Sequence, residues 1–107
     1  MSKIANKSAQ AFYNYRNSAI DNTIVNLEGM FLSGNHIAKR VKHGGVVAIN
    51  FCGYPTKATA ARLNALLSLL SDGKIKVGIK KGEPFLRYRD GIVVPLPSKG
   101  WVNIATL

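Results

Sequence analysis

The clearest hydrophobic pattern in this chain is a helical one between residues 53 and 72. A leucine stripe recurs there at i, i+3, i+4 and i+7, which places its members on one face of a helix. The members are Leu63, Leu66, Leu67 and Leu70. Thr56 is a suitable N-cap, with Thr59 as the alternative, and Gly73 suits the left-handed position that ends a helix. The pattern predicts one main helix that packs through its leucines on a sheet.

Strand patterns flank this helix on both sides. The predicted strands span residues 23–32, 36–42, 46–51, 74–80 and 85–89. Residues 74–80 alternate strictly between apolar and polar, and the apolar run at 46–51 is typical of a central strand. Gly29 predicts a bulge or bend in the first strand. Lys39 shares the parity of Ile37, which predicts a bulge or an edge position in the second strand.

The two ends of the chain have less regular patterns. Phe12 and Tyr15 keep a helical spacing, so residues 7–16 are either a short helix or a loosely docked arm. Residues 98–107 are either a last strand or a docked extension. No repeat or linker divides the sequence, so residues 1–107 are predicted to form a single α+β domain. We expect an antiparallel sheet with one main helix packed on one face and a possible short N-terminal helix.

The charge balance is the most unusual property of the composition. The chain has 15 Lys and Arg residues against 5 Asp and Glu, a formal net charge of +10. Such an excess repels itself unless an anion is near, so it favours nucleic acid, a membrane surface or an acidic protein as partner. The alternative is a solvated basic surface without a specific role. No apolar run is long enough to span a bilayer and no secretory signal opens the chain, so no membrane partner is expected.

The sequence contains no pattern typical of catalysis. Its acidic residues are dispersed and lie mostly in predicted turns, so no carboxylate pair suggests general acid–base chemistry. Cys52 follows an apolar strand and is expected to be a buried, structural thiol, while His36 and His43 flank a strand near turns. One cysteine and two histidines do not build a usual structural zinc site. We expect no enzyme activity, no metal and no cofactor, and the lone cysteine fits a reducing cytoplasm.

Basic residues interleaved with an aromatic ring form the main candidate site. Strand parity places three lysines on one face of residues 74–80, and two arginines and a phenylalanine on one face of residues 85–89. If the two strands pair across a turn at Gly82, these side chains form one basic stripe. The basic stripe consists of Lys74, Lys76, Lys80, Phe85, Arg87 and Arg89. Such cations can neutralise successive phosphates, and an exposed Phe can stack on an unpaired base. The alternative is that these residues are simply the outward half of amphipathic strands.

Two further groups of cations are secondary candidates. A basic cluster beside a predicted hairpin tip at Gly44-Gly45 consists of Lys39, Arg40 and Lys42. Lys57 and Arg62 lie near the start of the main helix, where the helix dipole also favours an anion.

Three short motifs resemble a known protein family. They are Gly34-Asn35-His36-Ile37-Ala38, Gly53-Tyr54-Pro55-Thr56 and Arg62-Leu63-Asn64-Ala65-Leu66. Together they resemble a family of small uncharacterised bacteriophage proteins, which carry a GN-x-IA turn and strand followed by a GW-P/N-T…T-x-x-RLNAL strand-to-helix element. Tyr54 stands where that family usually has Trp, and the similarity covers roughly residues 12–66. The resemblance implies a phage protein made in the cytoplasm of a bacterial host, and it implies no activity.

The leading hypothesis is therefore a small, non-catalytic nucleic-acid-binding protein encoded by a phage. A basic sheet face would neutralise backbone phosphates with low sequence specificity. The alternatives are an inhibitor or modulator of a host protein, a minor virion component and, less favoured, a small enzyme.

Overall fold

The computed structural model describes residues 3–41 and 46–106, which contain two helices and nine strands. The helices are α1 (Lys3–Tyr13) and α2 (Lys57–Ser71). The strands are β1 (Ser18–Ile20), β2 (Thr23–Asn26), β3 (Gly29–Leu32), β4 (Asn35–Arg40), β5 (Val46–Ile49), β6 (Ile75–Lys80), β7 (Glu83–Tyr88), β8 (Val93–Pro95) and β9 (Val102–Ala105). The predicted hairpin tip at Gly44-Gly45 lies outside the described residues.

The strands form two antiparallel sheets. The larger sheet has the order β1-β2-β3-β4-β5-β9, and the smaller sheet has the order β6-β7-β8. The C-terminal segment is a strand, because β9 returns to pair with β5. The interior position of β5, between β4 and β9, agrees with its apolar run, since Val47, Ala48 and Ile49 are all buried. The predicted fold, an antiparallel α+β structure with one main helix on a sheet and a short N-terminal helix, is confirmed.

Helix α2 begins and ends at the predicted positions. The Thr56 hydroxyl accepts a hydrogen bond from the Thr59 amide at 3.2 Å, which satisfies one of the free N–H groups of the first turn. At the other end, Asp72 and Gly73 both adopt a left-handed backbone, with φ of 55° and 76°. This conformation stops the helix and turns the chain towards β6.

The leucine stripe of α2 forms the centre of the core. Leu63, Leu66 and Leu67 are fully buried, and Leu70 is half-buried against the same cluster. Apolar side chains from α1 and from both sheets join them in one continuous cluster. The main helix therefore covers the sheet as predicted, with Leu70 nearer to solvent than expected.

Helix α1 begins four residues and ends three residues before the predicted span of 7–16. It packs against α2 through a face that contains Ala5, Ser8 and Ala9. Ser8 can lie in this contact because its small side chain fits between the two helices. This position leaves the Ser8 hydroxyl buried without a hydrogen-bond partner.

The prediction of one strand over residues 23–32 is wrong, because this segment folds back on itself as the hairpin β2–β3. The Asn26 side chain accepts a hydrogen bond from the Glu28 amide at 2.8 Å, which closes a turn of the Asx type. The hydrophobic pattern does not indicate this turn, because Leu27 is apolar and continues the strand pattern. Its side chain is nevertheless 92% exposed. Residues 18–20, for which the sequence predicted no strand, add strand β1 to the edge of the sheet.

Strand β4 contains a bulge, one of the two alternatives that Lys39 predicted. The residues of β3 pair with His36 and then with Ala38, so Ile37 has no partner on that strand. Because β4 lies between β3 and β5, the edge position is excluded. The extra residue shifts the alternation of side chains along the strand.

Candidate nucleic-acid interface

Strands β6 and β7 pair as a hairpin across Gly82, as the basic stripe requires. Lys81 and Gly82 both have positive φ, 52° and 77°, which is the conformation of a type I′ turn. Lys80 and Glu83 form the pair next to the turn. The predicted pairing of the two strands is therefore confirmed.

One face of this hairpin packs into the core and the other contacts solvent. Ile75, Val77 and Leu86 are buried on the inner face. The residues that alternate with them point outward, and among these Lys76 lies directly opposite Arg87. Both cations are exposed.

Helix α2 holds the outer edge of β6 through two polar side chains. The Asn64 amide donates to the Val77 carbonyl at 2.9 Å and accepts from the Val77 amide at 2.7 Å. It therefore replaces the neighbouring strand that this edge lacks. The Ser71 hydroxyl accepts from the Ile75 amide at 3.1 Å and donates to the Leu67 carbonyl at 2.6 Å. These contacts fix the position of the hairpin on the helix.

Four cations of the basic stripe line one groove of about 340 Å³. The groove is bounded by Gly73, Lys74, Lys76, Arg87, Tyr88, Arg89 and Gly91. Within the described ranges none of the four cations forms an ion pair with a carboxylate. Arg89 also donates to the Asp72 backbone carbonyl at 3.4 Å, at the C-terminal end of α2. We call this groove, which is lined by the four cations Lys74, Lys76, Arg87 and Arg89, the basic groove.

An adjacent concavity of about 390 Å³ contains Phe85. The Phe85 ring lies over Gly78, where an added Cβ would come within 2.3 Å of the ring carbon Cζ. Glycine at this position therefore provides the space that the ring occupies. The Arg87 guanidinium carbon is 5.5 Å from the ring centre, which is within cation–π distance. Arg87 lines both concavities and joins them into one surface.

Lys80, the fifth predicted cation, is separated from the basic groove. It lines the Phe85 concavity together with Lys81, and it lies directly opposite Glu83 in the strand register. The sequence predictions omitted Glu83 and the groove residue Tyr88. The sequence could have predicted this pair, because a two-residue turn at 81–82 places the residues on either side of it, Lys80 and Glu83, opposite each other.

Two cations of the basic cluster beside the predicted hairpin tip make contacts with different parts of the protein. The Arg40 guanidinium lies over the Phe12 ring and donates to the Phe12 carbonyl. Lys39 Nζ lies 4.3 Å from the centre of the Trp101 ring. Lys42 lies outside the described residues.

The two cations near the start of α2 also differ. Arg62 is buried, and its Nε donates to the Thr23 hydroxyl at 3.2 Å. It therefore links α2 to β2 instead of facing solvent. Lys57 is exposed at the first position of the helix.

Cys52 lies half-buried in the loop after β5. Its thiol donates to the His36 backbone carbonyl at 3.3 Å, and burial raises the pKa of the thiol. A raised pKa lowers the fraction of reactive thiolate at neutral pH, so low reactivity stays our prediction for this cysteine. His43 lies outside the described residues. In residues 3–41 and 46–106, no three His, Cys, Asp or Glu side chains are grouped so that they could hold a metal ion.

The sequence as a whole matches one known family. The Kyanoviridae Gp96 protein family covers residues 1–105. The chain belongs to this family. Membership in the Gp96 family agrees with the phage origin that the sequence motifs implied. No curated protein and no solved structure matches the chain. None of the helices in the described part of the chain has the length and apolar character needed to cross a membrane.

Proposed function

We propose that this Gp96-family protein binds nucleic acid without catalysing a reaction, in the cytoplasm of the infected host. The binding surface is the outer face of the β6–β7 hairpin, from the basic groove to Phe85. The ligand is held mainly through its phosphates, so the sequence specificity is low.

The crowding of like charges in the basic groove is the observation that carries this proposal. Lys76 and Arg87 are direct neighbours across the strand pair, and Lys74 and Arg89 line the same groove. Like charges that face each other across paired strands destabilise a sheet. An anion seated among them removes this repulsion, and a nucleic-acid backbone supplies several anions in succession.

Phe85 adds an aromatic surface, which binding to phosphates alone would not require. Its ring lies over Gly78 and beside Arg87, next to the basic groove. An unpaired base can stack on such a ring, whereas a base inside a duplex has no free face. The hairpin face therefore suits a single strand, with phosphates in the groove and a base on Phe85.

A salt titration of binding to a fluorescent single-stranded oligonucleotide tests the groove. Four phosphate contacts predict a log–log slope of about −3, because each contact on a single strand contributes about −0.7. Lys76→Gln with Arg87→Gln removes two contacts and should flatten the slope by about 1.4. Lys3→Gln with Lys7→Gln on α1 is the matched control, since it removes the same charge from exposed positions that do not line the groove.

The control should keep the slope of the wild-type protein. The proposal is wrong if the wild-type protein binds neither single strand nor duplex at low salt, or if the two double variants have the same slope. Phe85→Ala should weaken single-strand binding by about 1–3 kcal/mol and leave duplex binding nearly unchanged.

Strand β8 favours the alternative function, contact with a host or virion protein. β8 is an edge strand, and the successive apolar residues Ile92, Val93 and Val94 are 57%, 50% and 40% exposed. Exposed apolar strand edges are typical of protein contacts. Under this alternative, a defined partner stays bound after nuclease treatment, Ile92→Ser with Val94→Thr abolishes that complex, and nucleic acid does not bind.

A further inference from the structure

Three aromatic rings stand together on the six-stranded sheet. The Phe31 and His36 rings stack with their centres 4.2 Å apart and 14° between their planes. The Trp101 ring meets His36 edge-on, at 4.9 Å and 83°. Lys39 Nζ lies 4.3 Å from the centre of the Trp101 ring. We call these four side chains the aromatic cluster.

The aromatic cluster lies on the side of the sheet that faces away from α2. Phe31 pairs with Ile24, so the two side chains share one face. The neighbouring Thr23 points to the opposite face, where its hydroxyl bonds with Arg62 of α2. Ile24 is 46% exposed and Trp101 is 37% exposed. These apolar side chains therefore contact solvent instead of the core.

The bulge in β4 brings the members of the cluster together. In a regular strand, His36 and Lys39 would point to opposite faces because they are three residues apart. The register skips Ile37, which is buried, so His36 and Lys39 both reach the Trp101 ring. Bulges often re-aim side chains next to functional sites.

The backbone holds the His36 ring in one orientation. Its Nε2 donates to the Glu28 carbonyl at 2.9 Å. Gly29 has a φ of 136°, and a Cβ there would lie 2.7 Å from His36 Nε2 and 2.0 Å from the Ala38 carbonyl oxygen. Only glycine allows this close approach. A ring fixed by a hydrogen bond, a stack and an edge contact is organised before any ligand arrives.

We propose that the aromatic cluster is a second nucleic-acid contact, which takes an unpaired base of a single strand. This inference rests on the proposed function and narrows its ligand to single-stranded nucleic acid. The base stacks on the Trp101 indole, and Lys39 moves from the ring to the adjacent phosphate. Lys39 has no carboxylate partner in the described part of the chain, and the net charge is +10. A polyanion whose bases can stack supplies negative charge both to Lys39 and to the positively charged protein as a whole, whereas an apolar peptide supplies none.

Trp101 is the only tryptophan of the chain, so its fluorescence reports on the aromatic cluster alone. Oligothymidylate of about 16 nucleotides, added to the intact protein at low salt, should quench this fluorescence. A duplex of the same length should leave it nearly unchanged. Trp101→Ala should weaken single-strand binding about 5- to 150-fold, as measured by the anisotropy of a labelled oligonucleotide. Tyr54→Ala is the matched control, because Tyr54 is 63% exposed and lies outside the cluster.

The outcomes separate this inference from the proposed function. Quenching, together with weaker binding by Trp101→Ala and unchanged binding by Tyr54→Ala, supports it. Binding that depends on Lys76 and Arg87 but leaves the fluorescence unchanged overturns the inference and leaves the proposed function standing. Absence of any binding at low salt overturns both. Because the fluorescence is read on the wild-type protein, a poorly folded Trp101→Ala variant does not prevent a decision.

Discussion

At the C-terminal end of α1, the Arg40 guanidinium carbon lies 4.6 Å from the centre of the Phe12 ring and 4.0 Å from that of Tyr15. The guanidinium donates to the backbone carbonyls of Phe12 and Tyr13 in the last turn of the helix, where carbonyls lack the usual partner four residues on. The Phe12 carbonyl also accepts from the Tyr15 amide at 3.3 Å. A cation at this end also interacts favourably with the helix dipole. Arg40 thus joins α1 to β4, which makes it a structural residue as well as a candidate ligand contact.

Arg40→Lys should lower the free energy of unfolding by about 1–2 kcal/mol, because an ammonium group cannot cover two rings and keep both carbonyl contacts. Urea denaturation measures the change. Arg16→Lys is the control, since the Arg16 side chain is exposed near the same helix end without these contacts. Equal stabilities of the two variants would show that the contacts of Arg40 do not stabilise the fold.

The buried Ser8 hydroxyl is an unsatisfied polar group in the contact between α1 and α2. Ser8→Ala should raise the free energy of unfolding by about 1 kcal/mol, because it removes the desolvation cost and improves the helix propensity. Thermal melting measures this gain. Ser68→Ala on the exposed side of α2 changes the propensity alone, so a gain no larger than that of Ser68→Ala would contradict the burial argument.

At the scale of elements, the position of α2 depends on its buried leucines. Leu66→Ala should lower the free energy of unfolding by about 2–5 kcal/mol, because Leu66 is fully buried and the change leaves a cavity. Leu69→Ala on the same helix is the control, since Leu69 is 40% exposed and its truncation should cost far less. Denaturant titrations that give the two variants the same midpoint would mean that α2 does not pack through this face.

The hydrophobic pattern predicted the elements whose two faces meet different surroundings. The leucine stripe of α2 and the alternation of β6 each follow from one face in the core and one in solvent. The β2–β3 turn was missed because Leu27 is apolar yet exposed. The predicted span of α1 rested on the spacing of Phe12 and Tyr15, whereas the helix also packs through Ala5 and Ala9 and ends before Tyr15.

Strand parity predicted the basic groove but not the aromatic cluster. A two-residue turn fixes the register of β6 and β7, so local sequence is enough to place Lys76 opposite Arg87. The aromatic cluster needs the bulge at Ile37 and the return of β9 from the far end of the chain. The parity of Lys39 predicted the bulge only as an alternative to an edge position, and the pairing of β9 with β5 joins distant parts of the chain. Trp101 was therefore not among the predicted site residues.

At the scale of the whole molecule, a net charge of +10 is confined to a body of 33 × 27 × 26 Å. At about 0.01 M salt the Debye length is about 30 Å, so each cation repels those on the far side as well. At about 0.15 M salt it is about 8 Å, and only close neighbours interact. Residues 3–41 and 46–106 contain no ion pair that salt would weaken. Screening therefore removes more repulsion than attraction.

The melting temperature should therefore rise when sodium chloride is increased from about 0.01 M to about 0.15 M. The Lys3→Gln with Lys7→Gln variant lowers the net charge from +10 to +8, and its melting temperature should rise less. Differential scanning calorimetry of both proteins across the salt series measures the effect. A melting temperature that falls with salt would mean that attractive charge pairs dominate the folded state.

The two hydrogen bonds from Asn64 to the backbone of β6 have a consequence for the sign of the surface potential. Asn64 bonds to both backbone polar groups of Val77, and in this register Ile75 and Ile79 lie on the inner face of the hairpin. A slip of one residue would present Lys76 or Gly78 to the amide and turn every side chain of β6 to the other face. The hairpin would then bury its lysines and show an apolar surface to water. A neutral amide bound to the outer edge of β6 therefore determines that the solvent-facing side of the hairpin is electropositive.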